Sequence, residues 1–110
     1  AVDIQKLFNE TLPEGIAKHQ DAAKQIGATF QMNVTGDGGG VDIDLKSDTP
    51  SAKPGNPGNA ECSITISSED FQKLHENPQA NGMQLFFAGK LKVAGNNVLA
   101  MKLQKLFSYK

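Results

Sequence analysis

A chain of 110 residues and 11.8 kDa has room for one domain, and we expect residues 1–110 to form a single unit. Hydrophobic residues make up 38% of the sequence and charged residues 21%, which is typical of a globular protein and excludes a disordered or fibrous one. The net charge of −1 indicates no particular partner, and no apolar run is long enough to cross a bilayer, so we expect any membrane contact to be peripheral.

The charged residues are unevenly distributed along the chain. Residues 1–80 contain six lysines and twelve acidic residues, whereas residues 81–110 contain five lysines and no acidic residue. Two interpretations of this basic C-terminal segment remain open. It is a solvated surface, or it contacts anionic lipid headgroups or the phosphates of an activated acyl ligand.

The N-terminal 26 residues show two stretches with helical spacing of apolar residues. These residues are Ile4, Leu7, Phe8 and then Ile16, Ala23, Ile26. We predict two helices separated near Pro13, because proline suits a first helical turn, where its missing N–H needs no partner. Gly27 is predicted to end the second helix in a left-handed conformation.

Strand-like alternation of apolar and polar residues begins after Gly27. It covers residues 28–35 and 41–46, and the glycine-rich segment 36–40 between them predicts an antiparallel hairpin. Residues 47–59 contain three prolines and almost no hydrophobic residue, which indicates either a long loop or a poorly formed edge strand. One face of the resulting sheet is expected to be apolar and the other wet.

The C-terminal half alternates between strands and helices. Residues 62–67 predict a strand, and Ser67 with Asp70 three residues later predicts the start of a helix. We predict a break at 77–81, an apolar cluster up to Phe87, a strand over 90–94 and a last helix after Asn97. The fold class is therefore α+β, with one face of the sheet covered by helices.

Residue types suited to catalysis are few and scattered. Cys62, His19 and His75 are the candidates for nucleophilic chemistry or zinc binding, but their spacing forms neither pattern. Cys62 shares a strand face with isoleucines, so we interpret it as a small buried hydrophobic residue. The sequence predicts no enzyme activity, no metal, no cofactor and no nucleic-acid binding.

The C-terminal half carries a family resemblance. Residues 60–66 read AECSITI, residues 86–96 read FFAGKLKVAGN and residues 99–106 read LAMKLQKL. In these segments, and in its element order, the chain resembles the sterol carrier protein 2 family. It departs at 75–79, where His-Glu stands before Asn-Pro-Gln in place of the family's Gly-Lys.

This resemblance implies a fold and a function. The implied fold is a five-stranded sheet covered on one face by about five helices, with an apolar tunnel between them. The tunnel is expected to accept a fatty acid, fatty acyl-CoA, sterol or phospholipid with low selectivity. Family members occur alone and as C-terminal domains of peroxisomal β-oxidation enzymes, and they carry no catalysis of their own.

Two sets of residues are predicted to form the site. The residues expected to line the tunnel are apolar, apart from Gln104, which is expected to contact the ligand's polar end. The alternative for each of them is an ordinary position in the hydrophobic core. They are Phe30, Met32, Phe71, Leu74, Met83, Phe86, Phe87, Met101, Leu103, Gln104, Leu106 and Phe107. The residues expected to contact anionic headgroups or CoA phosphates are Lys90, Lys92, Lys102 and Lys105.

Three hypotheses therefore remain open at this point. The chain is a monomeric lipid carrier that touches anionic membranes transiently, a non-catalytic accessory or interaction domain of a larger peroxisomal enzyme whose apolar groups only pack on one another, or a thiol-dependent enzyme that uses Cys62. A single cysteine and the absence of an apolar leader predict an intracellular protein. The resemblance suggests peroxisomes, whereas the C-terminal Ser-Tyr-Lys is not a Ser-Lys-Leu signal and leaves the cytoplasm as the alternative.

Overall fold

A computed structural model describes residues 3–36 and 39–106, and the side chains of all of these residues except 79 and 104–106. The helical elements are α1 (Ile4–Lys6), a π-helical turn (Leu7–Thr11), α2 (Leu12–Lys18), α3 (Gln20–Ile26), α4 (Ser68–Glu76), α5 (Pro78–Phe87) and α6 (Asn97–Leu106). The strands are β1 (Thr29–Thr35), β2 (Gly39–Asp44), β3 (Ser51–Pro54), β4 (Cys62–Ser67) and β5 (Leu91–Gly95). The α+β prediction is confirmed.

The first two predicted helices divide at a different residue from the one expected. α1, the π-helical turn and α2 form one continuous helical run, and the break falls at His19, whose backbone angles (φ −123°, ψ 45°) are not helical. In the wide π turn the N–H of Leu12 donates to the carbonyl of Leu7. Pro13 lies in the first turn of α2, as predicted, but the π-helical turn joins α2 to α1 without a break, so the two helices separate at His19 and not near Pro13. The predicted left-handed end at Gly27 is confirmed (φ 62°).

The five strands form one mixed sheet in the order β3-β2-β1-β4-β5. β1 pairs antiparallel with β2, which confirms the predicted hairpin, and parallel with β4. For the segment 47–59 the sequence allowed either a loop or an edge strand. The structure shows that this segment contains the short edge strand β3. Because β3 and β4 lie on opposite sides of the β1–β2 pair, the chain after Gly55 must pass across the sheet to reach β4.

The two faces of the sheet differ in burial. Residues of the inner face are almost fully buried under the helices, among them Phe30, Met32, Val41, Ile43, Cys62 and Ile64. The outer face carries mostly polar residues. One of them, Gln31, is buried near Gly55, where the chain begins to cross the sheet towards β4. Its Nε2 donates to the carbonyl oxygen of Gly55 at 2.9 Å and to Oδ1 of Asn33 at 3.0 Å.

The helical layer has two parts that contact different regions. α2 and the π turn lie against β3, and their apolar residues Leu7, Phe8, Leu12 and Ile16 are buried. α4, α5 and α6 lie over β1, β4 and β5. The predicted cap of α4 is confirmed, because the Ser67 hydroxyl accepts from the N–H of Asp70 at 3.1 Å. The predicted break at 77–81 is confined to Asn77, and α5 begins directly at Pro78.

Gly95 joins β5 to α6 and allows a close approach of two backbones. It has φ +92°, and a Cβ at this position would collide with the carbonyl oxygen of Glu61. The N–H of Asn96 donates to that same carbonyl at 3.3 Å, which fixes the start of α6. We expect Gly95→Ala to lower the free energy of unfolding by about 1–3 kcal/mol or more, measured by urea denaturation.

Gly58→Ala is the matched control for this variant. Gly58 also has a positive φ of +80°, but a Cβ there would meet no atom within 4 Å. It therefore carries the cost of the backbone conformation without the collision. An equal loss of stability in the two variants would show that the contact with Glu61 does not matter.

Candidate functional site

An apolar cavity of about 170 Å³ lies between the sheet and α4–α6. Its floor consists of inner-face residues of the three strands at one side of the sheet: Met32, Ile64, Leu91 and Val93. Its walls come from the three C-terminal helices: Leu74, Gly82, Met83, Phe86, Phe87, Asn97, Ala100, Met101 and Leu103. α1, the π turn, α2 and α3 contribute no residue to this lining.

Strand register builds the floor of the cavity. Met32 of β1 pairs with Ile64 of β4, and Ile64 pairs with Val93 of β5. The three side chains therefore form a continuous row across the inner face, because paired residues of neighbouring strands point to the same side of a sheet. This row is the surface against which any occupant of the cavity would lie.

Caps and one inter-helix hydrogen bond position the walls. The side chain of Asn77 accepts from the N–H of Ala80 at 3.2 Å and starts α5. The amide of Asn81 donates to the carbonyl of Lys73 at 2.6 Å, which attaches α5 to the end of α4. Asn96 accepts from the N–H of Val98 at 3.0 Å at the start of α6. The wall residues of α5 and α6 then follow helical spacing along one face of each helix.

The cavity is closed at the floor and open between α5 and α6. Met32 of the floor is 1% exposed, whereas the wall residues Phe87 and Met101 are 76% and 58% exposed. Phe86 and Phe87 contact each other edge to face, with their ring centroids 5.8 Å apart. The exposed wall side chains therefore form the side of the cavity that faces solvent, and they include methionines, whose flexible side chains adapt to different shapes.

Among the residues with described side chains, the lining of the cavity carries no charge. Asn97 is the lining residue with a polar amide side chain, and the others are apolar or glycine. The exposed lysines Lys90, Lys92 and Lys102 lie outside the lining, and they make no ion pair with any of the described residues. The interior can therefore stabilise hydrocarbon, and any ionic headgroup must remain at or beyond the opening.

The predicted tunnel residues fall into three groups. Seven line the cavity: Met32, Leu74, Met83, Phe86, Phe87, Met101 and Leu103. Phe30 and Phe71 do not line it and lie in the core instead, where Phe71 contacts Phe8 edge to face at 5.5 Å. Phe107 and the side chains of Gln104, Leu106 and Lys105 lie outside the described residues.

The lysines predicted to contact anions lie on different surfaces. Lys92 pairs with Thr65 on the outer face of the sheet, opposite the cavity, because Leu91 and Val93 on either side of it point inward. Lys90 follows α5, and its N–H donates to the carbonyl of Leu85 at 2.9 Å. Lys102 is exposed on α6, next to the lining residue Met101.

Sequence reasoning missed part of the lining. The missed residues are Ile64, Gly82, Leu91, Val93, Asn97 and Ala100. Alternation showed that Ile64, Leu91 and Val93 face inward, but it did not show that their strands lie together next to β1. Asn97 precedes Ala100 by three residues and Met101 by four, and Ala100 precedes Leu103 by three, so helical spacing on α6 was the available signal.

Cys62 lies in the core rather than in the cavity. It is fully buried, and burial raises the pKa of its thiol above the ordinary value of 9.0. The pKa of the Cys62 thiol is higher in the folded protein than in the unfolded chain. The thiol therefore makes its full contribution to stability below the unfolded-state pKa, and this contribution is lost as the pH rises through the folded-state pKa.

We expect Cys62 to resist alkylation in the folded protein. A buried neutral thiol is a poor nucleophile, so iodoacetamide at pH 8 should react on the order of 100-fold more slowly than after unfolding in urea. Mass spectrometry of the alkylated protein over time measures both rates. Equal rates in the two states would contradict the burial of Cys62 and reopen the hypothesis of a thiol-dependent enzyme.

The described residues were also compared with the requirements of a metal site and of a membrane-spanning helix. Within residues 3–36 and 39–106, no cluster of three or more His, Cys, Asp or Glu side chains is arranged to hold a metal ion. None of the helices in that part of the chain is both long enough and apolar enough to span a membrane.

Comparison with known proteins agrees with this geometry. The model of the SCP-2 sterol transfer family matches residues 8–108, which is most of the chain. The chain belongs to the SCP-2 sterol transfer family. A solved member of that family, sterol carrier protein 2 from Yarrowia lipolytica in its apo form, has a TM-score of 0.70 and 30% identity, and the match covers 96% of this chain and 84% of that one.

Curated members of the SCP-2 family differ in length. Sterol carrier protein 2 of Rattus norvegicus is 37% identical over 104 residues, which cover 91% of this chain but 19% of the rat protein. Non-specific lipid-transfer protein-like 1 of Caenorhabditis elegans is 33% identical over 104 residues, which cover 92% of this chain and 87% of the nematode protein. The chain thus spans about a fifth of the length of one relative and nearly all of another.

Proposed function

We propose that this SCP-2 family chain binds one lipid reversibly in the cavity, with the hydrocarbon inside and the polar group at the opening, and transfers it without catalysis. The observation that carries the proposal is the cavity itself, which is open on one side and whose described lining is apolar and uncharged. A cavity with these properties has little affinity for water and a high affinity for hydrocarbon.

The volume indicates how much of a lipid the cavity holds. An engineered apolar cavity of about 150 Å³ in another protein holds a benzene molecule, so about 170 Å³ accommodates roughly six carbon atoms without rearrangement. A longer chain requires Met83 and Met101 to move aside, and the rest of the chain lies against the exposed side chains at the opening. Each buried methylene contributes about 0.8 kcal/mol, so roughly ten of them contribute about 8 kcal/mol before the costs of association are subtracted.

The ligand classes follow from this arrangement. A site that fixes only hydrocarbon and leaves the headgroup in solvent discriminates weakly between fatty acids, fatty acyl-CoA, sterols and phospholipids. Asn97 and Gln104 are proposed partners for a ligand's polar end. Lys90, Lys102 and Lys105 are proposed contacts for a carboxylate, a phosphate or an anionic membrane, whereas Lys92 on the opposite face of the sheet is left out.

A displacement titration tests the proposal. A fluorescent fatty acid should bind saturably at one molecule per chain, and unlabelled lipids should displace it. In a series of saturated fatty acids from six to sixteen carbons, affinity should rise steeply at first and less steeply once the chain exceeds the enclosed volume. Absence of saturable binding would overturn the proposal, because the apolar groups would then only pack on one another.

A second candidate rests on the length of the relatives. The rat protein is about five times longer than the matched segment, so a sequence of this kind also occurs within a larger chain. As such a part it would serve as a non-catalytic accessory domain that presents a lipid to an attached enzyme. We propose an intracellular location, in peroxisomes or in the cytoplasm, which fluorescence microscopy of the tagged full-length protein would decide.

A further inference from the structure

We infer that Met83 and Met101 reduce the hydroperoxide group of an oxidised fatty acid held in the cavity, each reacting once and becoming methionine sulfoxide. The inference rests on the proposed function, because the reaction needs an acyl chain bound in the cavity. It adds a substrate class, the hydroperoxides of unsaturated fatty acids, and gives a chemical role to two side chains of the cavity wall.

All three methionines of the chain line the cavity, but they differ in depth. Met32 lies on the floor and is 1% exposed, whereas Met83 is 43% and Met101 is 58% exposed. Met83 belongs to α5 and Met101 to α6, the two helices that border the opening. An acyl chain that extends from the floor to solvent therefore passes the thioether groups of both residues.

The size of the cavity determines which carbon atom of the ligand lies beside these thioethers. About 170 Å³ holds roughly six carbon atoms, so a fatty acid that enters with its methyl end places about its sixth carbon at the level of the opening. A hydroperoxide group is polar, and its burial at the apolar floor without a hydrogen bond is unfavourable. A hydroperoxide on the sixth carbon from the methyl end avoids the floor and lies next to Met83 and Met101.

The reaction is a two-electron oxygen transfer between the thioether and the hydroperoxide. A lone pair of the sulfur attacks the terminal oxygen of the hydroperoxide, the O–O bond breaks, and a sulfur–oxygen bond forms. The oxygen that stays on the fatty acid takes the hydroperoxide proton, so the product is the hydroxy fatty acid. The sulfur is oxidised and the peroxide is reduced, and a methionine sulfoxide reductase can restore the thioether.

The position of the thiol argues against Cys62 as the reductant. Cys62 is the single cysteine of the chain, is fully buried in the core and does not line the cavity. A buried neutral thiol reacts slowly with peroxides. A thioether does not ionise, so we expect the reaction to proceed at the same rate at pH 6 and pH 8. A rate that rises with pH as a thiolate forms would contradict the inference.

Two positional isomers of one oxidised fatty acid test the inference. In octadecadienoic acid, a hydroperoxide at carbon 13 is on the sixth carbon from the methyl end, and one at carbon 9 is on the tenth. At saturating lipid, the 13-isomer should oxidise Met83 and Met101 about fivefold faster than the 9-isomer, because the reacting atoms must be held in contact. Met32 should stay unoxidised during this reaction.

Peptide mass spectrometry locates the added oxygen, and chromatography measures the hydroxy fatty acid. One hydroxy fatty acid should form for each methionine oxidised. Equal rates for the two isomers, equally fast oxidation of Met32, or oxidation without formation of the hydroxy fatty acid would each overturn the inference.

tert-Butyl hydroperoxide carries the same reactive group without a long chain and is the control for binding. At about 10 μM free peroxide, the group of a bound lipid, with an effective concentration on the order of 1 mM, should react on the order of 100-fold faster. Equal rates for the lipid hydroperoxide and tert-butyl hydroperoxide would show that oxidation reflects exposure alone, and the inference would be wrong.

Met83→Leu and Met101→Leu test the two sulfur atoms separately, since leucine has a similar volume but accepts no oxygen. Each protein is measured at a lipid concentration that saturates it, so that a change in affinity does not enter the comparison. Each variant should form about half as much hydroxy fatty acid as the parent chain, because each methionine reacts once. Undiminished formation in the double variant would contradict the inference.

A displacement titration with the unoxidised fatty acid separates this inference from the proposed function. If the unoxidised fatty acid binds saturably and the 13-isomer oxidises neither Met83 nor Met101, the carrier function stands and the inference is wrong. If no fatty acid binds saturably and every peroxide oxidises the two methionines at the same rate, both the carrier function and the inference are wrong.

Discussion

Ala100→Phe should lower the affinity for a fatty acid about 100-fold while the protein remains folded. Ala100 lines the cavity on α6, and a benzyl group at this position occupies most of the roughly 170 Å³ available. About four methylenes of the ligand would lose their place, which corresponds to about 3 kcal/mol. The displacement titration measures the affinity, and circular dichroism checks that the fold is retained.

Ala17→Phe is the matched control for this substitution. Ala17 is an exposed helical alanine on α2, which contributes nothing to the cavity. The same added ring should therefore leave ligand affinity unchanged. If Ala100→Phe folds and still binds a fatty acid with the original affinity, the ligand does not occupy this cavity.

Phe71→Ala should lower the free energy of unfolding by about 3–5 kcal/mol, which is a large part of the stability of a small domain. The Phe71 side chain is 1% exposed and contacts the ring of Phe8, so its removal leaves a void in the core. Phe87→Ala removes the same group from a largely exposed position and should cost less than about 0.5 kcal/mol. Urea denaturation of the two variants gives the comparison.

The milder Phe71→Leu variant decides whether Phe71 belongs to the core or to the ligand site. It should reduce stability and leave the affinity of the folded protein within about twofold of the original, because Phe71 does not line the cavity. A strong loss of affinity with unchanged stability would instead support the tunnel role that was inferred from the sequence.

Local patterns were sufficient to predict most of the elements. The alternation in β1, β2, β4 and β5, the left-handed end at Gly27 and the cap at Ser67 depend on residues close together in the chain. Pro13 was misleading because its effect depends on the shape of the preceding turn. A π-helical turn accommodates a proline where a regular α-helix does not, and no pattern of neighbouring residues predicts such a turn.

The candidate site was only partly predictable because it depends on non-local arrangement. Phe71 and Phe86 are both apolar residues of helices in the C-terminal half, but Phe86 lines the cavity and Phe71 does not. The row of Met32, Ile64 and Val93 requires the strand order β1-β4-β5, in which β1 and β4 pair although about thirty residues separate them. The position of Lys92 could have been predicted, since it stands between two inward-facing residues.

The N-terminal and the C-terminal helices have different roles in the domain. The N-terminal helical run covers β3 and supplies buried core residues, but none of its side chains reaches the cavity. Within residues 3–36 and 39–106, the walls of the cavity come from α4–α6. We therefore expect substitutions of the exposed wall residues of α5 and α6 to change the size and shape of the cavity at little cost in stability, because the buried residues of the N-terminal run are not part of the lining.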